Sequence, residues 1–407
     1  MRQSFLTLNH IVACSRESIV TVGADSIQWH EFQNICDIMR EQETLLETKI
    51  FFKHLSKVRT LTHGGPRGLQ LSRFSPTAPR PPLMELLLSH KSKKSTDPRD
   101  KVYALVGISD SRHSFGAIDY SLPTEDVYAH TARHIITTSH KLDIVCVKQH
   151  NLQHFDLPSW VPDWTRLPKH SGRAHLGLHH HEPPFAAAGD TRAVTSFLDG
   201  GRVLKAEGLV LGHLKIGGMM FKKKGDPGDV SQELKAFTEW RDVFFKHKNT
   251  SRASYVEFGK VLSCGNWAFE EQSAYEEKLD LIYNFSMWKA AQDSEKGYDV
   301  DDDIKFEGAP TTADKKDATT IILAASLMMD RRRLVISDTN LSGLGPWDSR
   351  EGDTVCVLLG CMFPVILRKV EERYVLIGEA YIYGFMDGEA IAGLHDGKFV
   401  TESFEIT

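Results

Sequence analysis

The sequence has 407 residues, 41% hydrophobic and 25% charged, with 30 Gly and 16 Pro, a globular composition that excludes wholesale disorder and collagen-like repeats. At roughly 100 to 200 residues per domain, this length argues for about two or three packed units. A formal charge of -5 is too weak to attract polyanions, so nucleic acid is not an expected partner.

The longest apolar runs, 321–329 and 355–367, fall short of the ~18 consecutive apolar residues of a membrane helix, so no membrane insertion is expected. Residues 1–13 are interrupted by Thr7, Asn9 and His10 and lack a signal-peptide core. The six Cys, at 14, 36, 146, 264, 356 and 361, show no CxxC spacing and sit mostly in apolar segments. That pattern suits buried thiols in a reducing compartment and implies a cytoplasmic chain.

In chain order, apolar residues at helical spacing from His30 to Val58 predict one or two amphipathic helices, stopped by Gly64, Gly65 and Pro66. The four Pro between Arg73 and Pro82 predict an extended loop, and Leu83 to Ser89 resumes a helix. The basic run KSKK at 91–94 reads as a solvated turn. In DPRDKVYALVG, Asp97 is placed to cap a helix that starts at Pro98, Asp100 suits its positive end, and Gly107 suits a left-handed stop. A second helix is expected over Thr124 to Ser139 with Thr124 as cap, then a short buried strand over Leu142 to Val147.

LPSWVPDW at 157–164 alternates Pro with Trp and predicts a rigid extended segment whose rings, Trp160 and Trp164, are buried against the helices of 98–140. Residues 167–200 are expected to form a linker, because Lys169 to Gly189 is rich in His, Gly and Pro without periodicity. A hairpin is expected over Arg202 to Ile216, a helical block over Gln232 to Gln292, a loop over Gly297 to Lys316 and a helix over Ala318 to Met329. Strand-like runs at 334–337, 354–359, 365–370 and 374–377 suggest a small antiparallel sheet or half-open barrel.

Four segments together resemble the fungal heterokaryon-incompatibility (HET) family, whose members take part in non-self recognition and programmed cell death. They are DPRDKVYALVGI at 97–108, the DYS and VY within 119–128, LPSWVPDW at 157–164, and a C-terminal pattern built from 331–346, 352–368 and 374–391. The resemblance implies an α+β fold: residues 1–166 would be the helical remnant of a HET domain, TIR-like in proposed fold, and residues 201–407 a domain of helices with a small C-terminal sheet. The family's opening Ser-Tyr-x-Trp-Gly-like and Trp-Arg-x-Trp-x-x-Gln-Glu-like segments do not occur. Ile19 to Phe32 resembles the family segment immediately downstream of the second, so the expectation is an N-terminally shortened member. Uncovered apolar residues Phe5, Leu6, Ile11, Val12, Ile19, Val20 and Val22 would then favour self-association or a protein partner.

The resemblance marks Asp97, Pro98, Arg99, Asp100, Tyr103, Trp160, Asp163, Trp164, Asp387, Gly388 and Glu389 as signature positions. Asp97 and Asp100 offer an acid/base pair beside a phosphate-binding Arg99, but helix-start roles and a buried Arg99–Asp163 pair account for them better. Trp160 and Trp164 suit ring stacking on a ligand or, more simply, packing. Asp387, Gly388 and Glu389, with Glu379 nearby, read as a turn ahead of an acidic site, and the basic runs 222–224 and 331–333 as solvated ends of elements. His170, His175 and His179 to His181 lack the partners of a zinc site, and no phosphate-cradling or nucleophile-elbow motif occurs, so neither metal nor cofactor is expected. The favoured function is non-enzymatic incompatibility-type recognition or regulation. The alternatives are an NAD-cleaving TIR-like death effector, for which Glu17 and Glu31 are the only early glutamates ahead of the first helices, and an accessory enzyme of fungal metabolism.

Overall fold

The computed structural model describes residues 19–22, 24–41, 79–91, 93–147, 155–166, 185–222, 229–267, 271–295 and 309–407. Phe5, Leu6, Ile11, Val12, Glu17, the His cluster of 170–181 and the loop at 297–308 lie outside them, as do the side chains of Val20 and Val22.

The first described element is a small hairpin, β1 (Ile19–Val22) and β2 (Asp25–Gln28), followed by helix α1 (Trp29–Glu41). Trp29 is buried, whereas Ile19, Ile35 and Ile38 are exposed. Three helices then build a helical layer: α2 (Leu83–Ser89), α3 (Asp100–Val106) and α4 (Thr124–Ser139). Their buried faces, including Leu86, Val102, Leu105, Val127, Tyr128 and Ile136, follow the apolar periodicity of the sequence.

Several local expectations change in the structure. Leu142 to Val147 does not form a strand: Asp143–Val147 is a 3-10 helix whose Ile144, Val145, Cys146 and Val147 are all buried. A short all-apolar run carries no periodicity to separate the two conformations. Thr124 is the first helical residue of α4 and Pro123 stands at its cap, without a side-chain capping bond. Gly107 ends α3 at φ -63, right-handed, so it does not act as a left-handed stop.

The expected linker contributes to the fold over its described part. The backbone N–H groups of Ala186, Ala187 and Ala188 donate to the carbonyls of Met386, Met362 and Cys361 in turn. Residues Thr195–Leu198 form strand β3. The expected hairpin is instead one 15-residue strand, β4 (Val203–Gly217). Gly208 is needed there for contact rather than for a turn, since a Cβ would sit 2.7 Å from the Val357 carbonyl oxygen. Register shifts at Val210/Gly212 and Leu214/Ile216 bend β4 so that it serves two parts of the sheet.

The helical block resolves into α5 (Ser231–His247), α6 (Arg252–Ser263) and α7 (Gln272–Glu295), followed by α8 (Thr312–Met329), which opens with a Thr311/Asp314 capping box. The C-terminal strands are β5 (Arg332–Ser337), β6 (Ser342–Pro346), β7 (Thr354–Leu358), β8 (Val365–Val370), β9 (Arg373–Glu379) and β10 (Tyr381–Ile382). Helix α9 (Glu389–His395) and strand β11 (Thr401–Ile406) complete the set.

Strand β4 bonds to β11 along Leu204 to Leu209 and to β7 along Gly208 to His213. Through β11, β9, β8 and β7 this closes a ring of five strands, a closed barrel where the sequence suggests a small antiparallel sheet or half-open barrel, while β5, β6 and β10 extend from the far end of β4. Pairing is antiparallel except between β11 and β9, at Ile406 and Tyr374. The fold is α+β. Side chains from α2 to α4, from α5 to α8 and from the barrel, such as Leu376, Phe404 and Ile406, join one buried cluster. A second cluster, including Leu209, Val357, Ile377 and Ile391, lies on the α9 side.

Candidate functional site

The signature residues gather mainly at two places: the head of α3, and the seam between the helical layer and the barrel. At the first, Asp97 Oδ1 accepts the backbone N–H of Arg99 at 2.9 Å, and the carboxylate is bridged by the Arg99 guanidinium at 2.8 Å. The hydrogen bonds to Arg99 hold the Asp97 carboxyl below its ordinary range. The turn Asp97 to Asp100 closes through Asp100 N–H to the Asp97 carbonyl, so Asp97 heads a helical turn, but the regular helix begins at Asp100 and not at Pro98.

Arg99 does not pair with Asp163. Its other amino group donates to the Tyr120 carbonyl and, at 2.9 Å, to the Leu122 carbonyl, pinning the DYS loop to α3. Three tyrosines finish the knot: Tyr103 Oη donates to the Asp119 carbonyl at 2.9 Å, Tyr120 Oη to Asp100 at 2.7 Å, and Tyr128 Oη to the Pro98 carbonyl at 2.8 Å. Asp97 and Asp100 are thus each engaged by a different partner, and the Arg99 fork is occupied by protein oxygens.

At the seam, every residue from Leu157 to Trp164 is buried. The segment is not extended throughout: turns close from Val161 N–H to the Pro158 carbonyl and from Arg166 N–H to the Asp163 carbonyl. Asp163 Oδ1 accepts from Thr165 N–H at 2.9 Å and Thr165 Oγ1 at 2.6 Å, fixing the second turn. Ser159 N–H donates to the Thr407 carbonyl, and Ser159 Oγ accepts Leu376 N–H at 2.8 Å, so the segment is bonded to β9 and to the residue after β11. Trp160 is fully buried, donates Nε1 to the Arg202 carbonyl at 3.1 Å, and its ring centre lies 5.8 Å from Phe197 of β3. Its polar anchor and ring partner therefore come from the barrel side, a contact the sequence does not indicate. Trp164 is 2% exposed.

Two further contacts tie the layers. Leu142 N–H donates to the Gly360 carbonyl at 2.9 Å, and Asp143 Oδ1 accepts Met362 N–H at 2.8 Å. Burial pushes the Asp143 carboxyl up to about 6 against the opposing pull of that hydrogen bond. Between these bonds, Cys146 and Cys361 place their sulfurs 3.5 Å apart.

Asp387, Gly388 and Glu389 form the entry turn of α9. Gly388 takes φ 93 at the cap, a conformation that favours glycine, and Asp387 N–H donates to Glu389 at 2.7 Å. Glu379 does not join them. It lies in β9, paired at 2.6 Å with Arg332 of β5. Arg332 and Arg333 are accordingly not solvated ends: Arg333 donates to the carbonyls of Gly217, Gly218 and Ser349. The readable signal for both is a charge inside a strand pattern, which requires a partner once the strand is buried. Among the described residues no group of three or more His, Cys, Asp or Glu is arranged to hold a metal, and no helix is long and apolar enough to cross a membrane.

The C-terminal half also matches known proteins. Residues 265–399 match the Het-6 β-barrel domain family. The chain is also similar to a heterokaryon-incompatibility protein. It is 24% identical over 369 residues to heterokaryon incompatibility protein 6, OR allele, of Neurospora crassa, an alignment covering 75% of this chain and 51% of that protein. The chain thus spans about half the length of that curated relative. No solved structure matches it. The Het-6 match takes in β5 to β10, whereas β4 and β11, which close the barrel, lie outside it.

Proposed function

We propose that this chain works as an incompatibility-type recognition or regulatory protein in non-self recognition and the associated cell death, acting through protein contacts and not as an enzyme. The observation that carries this reading is the commitment of the signature side chains to internal contacts. The Arg99 fork is filled by Asp97 and two carbonyls, Asp100 by Tyr120, Asp163 by Thr165, and Trp160 by Arg202 and Phe197. These residues shape a rigid body from the helical layer and the barrel. Glu31, a candidate for sugar-cation chemistry, is exposed and accepts Gln28 N–H at 3.3 Å, the geometry of a helix-start contact. The exposed Ile35 and Ile38 of α1 supply an apolar surface suited to a protein partner or self-association in the cytoplasm.

The test is expression in fungal strains of different incompatibility genotype, scored for growth arrest and hyphal death in fusions. Genotype-dependent death that survives Glu31→Gln and is lost in Trp160→Ala is the expected result. Nicotinamide release from NAD by the purified chain, abolished by Glu31→Gln, would overturn the non-enzymatic reading.

A further inference from the structure

We propose that Cys146 and Cys361 form a reversible disulfide, made by reaction with a hydroperoxide, that latches the helical layer to the barrel. The sulfurs lie 3.5 Å apart although the residues are 215 positions apart in sequence, and each residue is 1% exposed. A disulfide needs ~2 Å between sulfurs, so closure requires a movement of about 1.5 Å, within reach of small side-chain rotations. The backbones that carry the two thiols are already held together. Leu142 bonds to Gly360 at 2.9 Å and Asp143 to Met362 at 2.8 Å, so the Cys361 segment is fixed on both sides. The fold therefore brings the pair together before any oxidation takes place.

The chemistry balances with a hydroperoxide as the oxidant. One thiolate attacks the peroxide oxygen, breaking the O–O bond and giving a sulfenic acid and, from hydrogen peroxide, water. The second thiol attacks that sulfur, the S–S bond forms, and a second water leaves. Two electrons pass from the two thiols to the peroxide. Burial pushes the Cys146 thiol well up, so the thiolate is scarce and the first step waits for the seam to open locally. The same burial shields the finished bond from external thiols, which makes the pair a slow latch and not a fast sensor.

Cys356 is the competitor. It is buried in β7 with its sulfur 3.7 Å from the Val365 carbonyl oxygen, and burial first, then the neighbouring Cys361, pushes its thiol pKa up. The test treats the full chain with excess hydrogen peroxide under native conditions, blocks remaining thiols with N-ethylmaleimide, and maps linked peptides without reduction. The expected result is a Cys146–Cys361 peptide pair, removed by dithiothreitol, with a thermal midpoint raised by several degrees and returned by the same reductant. Cys361→Ser should abolish both, and Cys146→Ala serves if that variant does not fold. A Cys356–Cys361 link, sulfinic acids without any link in protein that stays folded, or a link found only in denaturant would each overturn the proposal.

Discussion

The Arg332 guanidinium and the Glu379 carboxylate meet at 2.6 Å, each side chain 5% exposed, joining β5 to β9 inside the sheet. Arg332 also donates to the Glu379 carbonyl at 3.1 Å, so two contacts fix one strand relative to the other. Removing one partner strands a buried charge, whereas replacing both restores an apolar interior. Glu379→Ala should therefore cost about 3 to 5 kcal/mol, and the Arg332→Met/Glu379→Leu double variant should lose far less than the sum of the singles. Urea unfolding midpoints of the variants measure this. Additive losses would show that the pair is not coupled.

Trp160 is a fully buried wedge between the layers. Its removal leaves a cavity beside Phe197 and an unbonded carbonyl at Arg202. Trp160→Ala should cost about 3 to 5 kcal/mol, and Trp160→Phe, which keeps most of the ring volume and loses only the Nε1 bond, considerably less. Equal losses in the two variants, read by thermal or urea unfolding, would place the energy in the hydrogen bond instead of the packing.

The legible parts of this fold share one property: their signal is local. The α4 helix runs over the expected Thr124–Ser139 and β8 over Val365–Val370, because periodicity and flanking Pro or charged turns bound them on both sides. The closing strand β11 escapes such reading although Phe404 and Ile406 are buried among more exposed neighbours, an alternation short and polar enough to pass for a tail. β4 does not read as one strand because Gly208 and Gly212 look like turn punctuation, while what they allow is close packing and a bulge. Among the signature residues, burial of the Trp pair comes from size and the neighbouring Pro, but the partners of Arg99 and Trp160 are set by segments 21 and 42 residues away, which no local pattern encodes.

At the head of α3, Asp97 is depressed below its ordinary pKa by Arg99. A carboxyl with a lowered folded-state pKa contributes stability above its unfolded value, about 3.9, and loses it as pH falls through the folded value. Asp97→Ala should cost about 1 kcal/mol at neutral pH, through the lost bond to the Arg99 N–H and the lost bridge, and less as the pH drops below about 4. Stability measured by urea titration at neutral and acid pH checks the convergence. A loss that stays the same at both would show that the negative charge plays no part.

Asp143 works in the opposite sense. Its carboxyl is raised to about 6 in the folded chain by burial at the seam. Between about pH 4 and 6 the unfolded chain has already released this proton while the folded chain keeps it, so folding weakens as pH rises through that window and levels off above it. Asparagine keeps an oxygen to accept Met362 N–H but never ionises. Asp143→Asn should therefore match the parent near pH 4 and exceed it above about pH 6 by about 3 kcal/mol, since each tenfold change in proton affinity is worth about 1.4 kcal/mol. The check is the difference in unfolding free energy between the two proteins from about pH 4 to about pH 8. If the variant is weaker at neutral pH, the ionised carboxylate strengthens the Met362 bond by more than its desolvation costs, and the seam is held by charge.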